Sequence, residues 1–154
     1  MKNEIVSNYR KNTLIIKHIV DGLDSEMLLR TGESNTVGWI LGHLKFCRGQ
    51  VLQMLEVECG LTEEEKAFER GVEKNVVMAI DMAETMEGYT ARGVSMEQAI
   101  LALEEDDFKK PIPFELPDGS KDIGGFLSFL AWHETFHIGQ IDLIIAATGK
   151  GGVK

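Results

Sequence analysis

The chain has 154 residues, 44% hydrophobic and 27% charged, which fits one globular domain over residues 1–154 with a sizeable core. Its 16 basic and 25 acidic residues give a net charge of −9, which argues against binding to nucleic acid or to anionic membranes. Two cysteines are too few for a disulfide framework. No apolar segment promptly follows Met1 as in a signal peptide, and no apolar run approaches the ~20 residues of a membrane-spanning helix. We therefore expect a cytoplasmic protein.

The first predicted helix covers residues 3–22. Apolar side chains recur there at helical spacing with charged residues between them. Gly22 stands where a glycine is expected at the C-terminal end of a helix. His18 lies off the apolar stripe, so we interpret it as a flanking residue and not as a metal ligand.

The second predicted helix covers residues 36–57 and carries an apolar arc along its length. Ser34, Asn35 or Thr36 can supply the N-cap, since each has a short polar side chain. His43 lies at the edge of the apolar arc. Its ring can therefore reach the interior of a helix bundle.

Two capping boxes mark the middle of the chain. Residues 62–65, Thr-Glu-Glu-Glu, predict a short acidic helix that ends near Glu69. Glycines interrupt residues 71–94, which we interpret as mainly connecting structure with at most one helix around 73–85. Residues 95–98, Ser-Met-Glu-Gln, predict the start of a helix over 96–108, which Pro111 ends.

The last third of the chain predicts a turn and a long helix. Residues 112–121 alternate in character around a Pro-Asp-Gly turn, so they form either a short hairpin or an extended arm. A final helix should run from near Asp122 to Gly149. Four principal helices joined by long connections indicate an all-α helix bundle.

The last helix carries two histidines four residues apart. If residues 126–144 are helical, His133 and His137 lie one turn apart on an otherwise apolar face. A buried polar ring needs a partner, and neutral imidazole is the commonest side-chain metal ligand. Together with His43 they would offer three nitrogens and one open coordination position, which is typical of catalytic metal sites. The alternative is a pair of core histidines bonded to carbonyls or carboxylates.

Residues 133–137, His-Glu-Thr-Phe-His, also match the His-Glu-x-x-His motif of zinc proteases. Only 17 residues follow His137, none of them His or Glu, and no strand-rich scaffold precedes the motif, which argues against a protease. Glu134 can still act as a general base or orient a ligand histidine; the alternative is a solvated helix glutamate. Cys47 follows His43 by one turn and is either a small buried residue or a further ligand.

Two motifs of the chain resemble the DinB-like, or YfiT-like, family of bacterial metalloproteins. They are residues 36–44, Thr-Val-Gly-Trp-Ile-Leu-Gly-His-Leu, and residues 133–140, His-Glu-Thr-Phe-His-Ile-Gly-Gln. The resemblance implies a four-helix bundle of up-down-down-up order that pairs as a homodimer. By motif position it implies the metal ligands His43, His133 and His137. The family includes thiol S-transferases that use low-molecular-weight thiols, and a mycothiol-dependent maleylpyruvate isomerase.

These considerations lead us to expect a divalent metal ion, Zn²⁺ or Ni²⁺, and a low-molecular-weight thiol as co-substrate. An activated thiol or water would attack a small electrophilic molecule, which gives S-transfer or hydrolysis. The alternative is a non-catalytic bundle that binds a metal ion or a partner protein. Trp39 and Trp132 flank the histidines in sequence and are either the walls of a pocket or plain core or interface aromatics.

Overall fold

The structure, a computed structural model, describes four parts of the chain: residues 1–23, 30–32, 34–69 and 80–149. They contain four long helices and two short 3₁₀ helices: α1 (Lys2–Val20), α2 (Val37–Met54), α3 (Met82–Ala102), α4 (Ile123–Ala147), and the 3₁₀ helices Glu64–Phe68 and Asp107–Lys109. These parts of the chain contain no strand, and one isolated antiparallel bridge joins Pro111 to Asp122. None of the described helices has the length and apolar character that crossing a membrane requires.

Side-chain contacts between the helices fix their directions. Helices α1 and α4 run in the same direction, as the contacts Tyr9–Leu127 and Asn12–Ala131 show. Helices α1 and α3 run in opposite directions, with contacts Lys2–Leu101 and Arg10–Glu97. Helices α2 and α4 also run in opposite directions, with contacts His43–His137 and Arg48–Glu134. The order is therefore up-down-down-up, and the prediction of an all-α bundle is confirmed.

Two apolar clusters fill the bundle at different levels. One cluster contains Val51 of α2 and Leu127 of α4, and the other contains Leu44 of α2 and Ile141 of α4. Because α1 and α2 each pack against both α3 and α4, all four helices contribute to this interior. Along α2 and α4 the two clusters are separated by a buried polar layer.

The buried polar layer is centred on Arg48, whose side chain is fully buried. Its Nε and Nη2 atoms donate to the two carboxylate oxygens of Glu134 at 2.9 and 2.7 Å. The guanidinium also donates to the carbonyl of Tyr89 on α3 and to the hydroxyl of Thr13 on α1. Each of the four helices thus supplies one member. Glu134 is only 3% exposed, so its interpretation as a solvated helix glutamate is wrong.

Helix α3 differs from the prediction. It begins at Met82, where the Asp81 side chain accepts a hydrogen bond from the backbone N–H of Glu84, and it ends at Ala102. The prediction of connecting structure over 71–94 is therefore wrong from Met82 onward, and the predicted helix over 96–108 both begins and ends earlier than expected. Residues 70–79 lie outside the described residues. Ser95 caps nothing, since its hydroxyl donates to the Ala91 carbonyl within the helix.

Two glycines explain why α3 begins earlier than predicted. A Cβ atom on Gly88 would lie 2.6 Å from Cε of Lys45, and one on Gly93 would lie 2.3 Å from Nη1 of Arg48. Both glycines therefore allow α3 to approach side chains of α2 closely, and they do not interrupt the helix. Glycine in a helix interior costs roughly 1 kcal/mol relative to alanine, which packing of this kind can offset.

The other helix boundaries agree with the sequence patterns. Thr36 caps α2 by accepting from the backbone N–H of Trp39, and Asp122 caps α4. Residues 62–65 form the predicted capping box, and a 3₁₀ helix follows it. Residues 112–121, predicted as a short hairpin or an extended arm, form an arm that is closed by a 2.9 Å hydrogen bond from the backbone N–H of Ile112 to the carbonyl of Lys121.

Replacing Glu134 with glutamine should lower the free energy of unfolding by about 3–5 kcal/mol, because the buried Arg48 charge loses its counter-charge. Urea denaturation followed by helical circular dichroism at neutral pH measures this loss. Glu97→Gln is the matched control: it breaks the exposed Arg10–Glu97 pair and should change stability little. Equal effects of the two substitutions would contradict the central role of the buried pair.

Candidate metal centre

Three histidines from two helices converge in the structure. Their candidate ligand atoms, from His43 of α2 and from His133 and His137 of α4, all lie within 4.8 Å of one another. The Nε2 atoms of His133 and His137 are 3.1 Å apart. The ring centroid of His43 is 5.3 Å from that of His133 and 4.9 Å from that of His137. The convergence predicted from the sequence is therefore present.

The donor set fits a divalent metal ion. Nitrogens bound tetrahedrally to zinc at about 2.1 Å lie roughly 3.4 Å from one another, close to the spacing of the His133 and His137 nitrogens. Imidazole suits both Zn²⁺ and Ni²⁺. Three neutral ligands would leave such an ion its full charge and a position for a further ligand.

A backbone carbonyl orients the ring of His43. Its Nδ1 donates to the carbonyl of Phe68 over 2.6 Å, so the lone pair of this ring lies on Nε2. Gly42 makes this contact sterically feasible, because a Cβ atom there would lie 2.4 Å from the Phe68 ring. A partner on the second nitrogen fixes both the tautomer and the direction of a metal-binding histidine.

The segment that supplies this carbonyl is anchored by a second buried ion pair. Glu65, in the 3₁₀ helix Glu64–Phe68, accepts two hydrogen bonds from Arg92 of α3, of 2.8 and 2.9 Å. Arg92 also donates to the Lys45 carbonyl of α2. The carbonyl of Phe68 is thereby held against α2 and α3, three residues from the ion pair.

His137 has an orienting partner on its own helix. Its Nδ1 donates to the amide oxygen of Gln140 over 2.6 Å, which leaves the lone pair on the Nε2 atom that faces His133. Gln140 ends the second motif singled out in the sequence, at residues 133–140, so the motif carries both rings and the partner of one of them.

Aromatic rings cover the histidines. The indole of Trp39 stacks on His43 at 5.0 Å between centroids, and Phe129 stacks on His133 at 6.3 Å. Phe136 meets His137 edge to face at 5.5 Å. These rings and Trp132 line a cavity of about 780 Å³ that also reaches the three histidines. Both indoles therefore line a pocket, as one of their two interpretations predicts.

Several residues of this cavity were not among the predicted site residues, including Phe129, Phe136 and Asp118. Phe129, Trp132 and Phe136 recur three and four residues apart, a helical spacing that could have indicated them as one aromatic face beside the histidines. Asp118 belongs to the turn of the arm, and no local pattern indicates that this turn packs beside the histidines.

The other candidates are not among the three converging ligands. Cys47 Sγ is 3.6 Å from Nε2 of His43 but is not among the converging ligand atoms. Burial, reinforced by the charge of Glu134, raises the pKa of the Cys47 thiol to about 12, so the thiol is protonated near neutral pH. The Glu134 carboxylate accepts from Arg48 and Tyr89, and its role as a base or orienting group stays a prediction. His18 is exposed on α1, as predicted for a flanking residue.

The fold and this cluster define a class: a four-helix bundle whose second and fourth helices present three imidazoles, as in a metalloprotein. The family model described as the DinB superfamily matches residues 12–141, a range that contains all three histidines. The chain therefore belongs to the DinB superfamily. No curated protein and no solved structure matches it.

The Glu65 anchor predicts a pH dependence. Burial raises the pKa of Glu65, but the hydrogen bonds from Arg92 and the Thr62 backbone and the charges of Arg92 and Lys45 outweigh it, lowering the pKa from 4.5 to about 2. Because the folded-state pKa is depressed, the stabilisation is present above pH 4.5 and is lost as the pH falls towards 2. Stability of the wild type should therefore fall more steeply over this range than that of Glu65→Gln.

Urea denaturation of both proteins at several pH values measures the difference. Glu63→Gln, in the same segment but at an exposed side chain, should retain the wild-type slope. Parallel curves for the wild type and Glu65→Gln would contradict the prediction.

Proposed function

We propose that the chain is a divalent-metal enzyme that activates a low-molecular-weight thiol or water for attack on a small electrophilic substrate. The reaction would be S-transfer or hydrolysis, with Zn²⁺ or Ni²⁺ as the metal. The observation that carries this proposal is the convergence of three imidazoles beside a cavity of about 780 Å³. A site enclosed by protein would suit a structural ion, whereas a site beside a cavity gives small molecules access.

In this proposal His43, His133 and His137 hold the ion. When bound, a divalent ion lowers the pKa of a coordinated thiol or water, so that a nucleophile forms near neutral pH. The Phe68 carbonyl and the Gln140 amide keep two of the imidazoles in the tautomer whose Nε2 can coordinate. The aromatic rings around the histidines would exclude water and position the electrophile.

Glu134 can contribute in either of two ways. As a base it would take the proton of the thiol or water. As a positioning group it would orient the ligand histidines of α4 by keeping this helix in place against α2. Its bonds to Arg48 and Tyr89 support the second role, because both carboxylate oxygens are engaged in the buried layer.

A cytoplasmic location and a homodimer, the latter expected from the family resemblance, also stay predictions.

Metal binding should depend on all three histidines. Each of His43→Ala, His133→Ala and His137→Ala removes a ligand and should weaken zinc affinity strongly. The loss should exceed the roughly 10–100-fold loss of affinity that follows when only the hydrogen-bond partner of a ligand is removed. His18→Ala, an exposed histidine of α1, is the matched control and should bind zinc like the wild type. Chelator competition and metal analysis of untagged protein measure this. A wild-type chain that takes up no added zinc would overturn the metal assignment.

Activity should depend on the bound metal. The zinc- or nickel-loaded chain should speed the reaction of a small thiol with benzyl chloride, in which a C–S bond forms, chloride leaves and the thiol proton passes to solvent. Hydrolysis of phenyl acetate tests the alternative reaction. Thiol loss, measured with a disulfide reagent, and phenol release follow the two reactions.

The metal-free chain and the metal-depleted His133→Ala variant are the controls for both reactions. A fully metal-loaded wild type that accelerates neither reaction would count against catalysis on these substrates and favour the non-catalytic bundle.

A further inference from the structure

The cavity beside the histidines is lined by exposed aromatic rings. Two of its aromatic side chains, Trp132 and Phe136, are 59% and 51% exposed, although large apolar rings are usually covered. They stack on one another at 5.9 Å with an angle of 26° between the rings, and Phe129 lies 5.6 Å from Trp132. The exposed rings form a continuous aromatic wall that leads to the histidines.

A carboxylate stands at the same cavity. Asp118 lies in the turn of the arm, where the backbone N–H of Gly119 donates to the carbonyl of Leu116 over 2.8 Å. Gly119 has a φ of +85°, which favours glycine, and Leu116 is buried in the core. Asp118 Oδ1 accepts from the backbone N–H of Ser120 at 3.0 Å. The turn therefore holds the carboxylate in place at the cavity.

The charged side chains at this cavity have one sign, whereas a divalent ion on the histidines would add positive charge beside them. Among the described residues that line it, Asp118 carries a negative charge and none is a lysine or an arginine. The whole chain has a net charge of −9, which attracts cations and repels anions at long range. Aromatic faces also attract cations, since their quadrupole is negative at the ring face.

We propose that this cavity selects a small aromatic cation: a flat ring that packs on Trp132 and Phe136, with a positive group near Asp118. Anionic molecules of the same shape would bind more weakly. The inference deepens the proposed function, because it names the substrate class of the same site. The statement that such a cation is a substrate rests on the proposed function, whereas the statement that the cavity binds it does not. Binding itself can be tested without turnover.

The probes are benzyltrimethylammonium, benzyl alcohol and benzenesulfonate, which share a ring and differ in charge. Ligand-observed NMR titrations with the metal-free chain should give an affinity for the ammonium about 10-fold above that for the sulfonate, with the alcohol between them. Asp118→Asn should bring the three affinities closer, and Asp118→Lys should reverse their order. Zinc binding should narrow this preference, because the ion adds positive charge at the histidines, so titrations of the zinc-loaded chain separate the pocket from the ion.

Two matched controls isolate the pocket. Asp106→Lys changes the net charge as Asp118→Lys does, but at an exposed position away from the cavity, and it should retain the wild-type order. Trp132→Ala should weaken binding of all three probes. Leu143→Ala removes another exposed apolar side chain of α4, one outside the cavity, and should leave the affinities unchanged.

The outcomes separate this inference from the proposed function. A metal-free chain that binds the sulfonate as tightly as the ammonium, or equal effects of Asp118→Lys and Asp106→Lys, would overturn the inference. A chain that prefers the ammonium through Asp118 but takes up no zinc refutes the proposed function and retains the inference. A chain that consumes thiol but prefers the sulfonate refutes only the inference.

Discussion

The bundle depends on one buried ion pair, between Arg48 of α2 and Glu134 of α4. Two charges removed from water are costly unless every donor and acceptor finds a partner, and here Thr13 and Tyr89 complete the set. A shift of α2 along α4 by one turn would separate the charges and leave both inside apolar surroundings. The pair therefore favours one register of the two helices. Because His133 is the residue before Glu134, the same register brings the imidazoles of both helices together.

The histidine cluster is supported from more than one direction. The carbonyl of Phe68 holds His43, and the 3₁₀ helix that contains this residue is fixed by the Glu65–Arg92 pair. The amide of Gln140 holds His137 from within α4. A rigid set of supports matters for a metal site, since ligands already in place lose little conformational freedom when an ion binds. The aromatic rings add an apolar surrounding, in which electrostatic interactions with a bound group are stronger.

Much of this arrangement could be predicted from local patterns. The spacing of His133 and His137, the caps of α2 and α4 and the box at 62–65 each depend on residues a few positions apart. What could not be predicted depends on contacts between distant segments. From the sequence alone, Gly88 predicts an interruption of the helix, and only the close approach of Lys45 explains why a glycine lies inside α3. Glu134 resembles a solvated residue until Arg48 is placed opposite it, and the turn at Asp118 shows no local relation to the histidines.

The distribution of the three imidazoles over two helices has a thermodynamic consequence. His133 and His137 are neighbours in any helical form of Ile123–Ala147, but His43 joins them only when α2 is docked. An ion that requires all three rings would bind the docked bundle and not a partly opened one, so its binding energy would add to the stability of the closed arrangement. The melting temperature of the protein would then rise with the concentration of free metal around it.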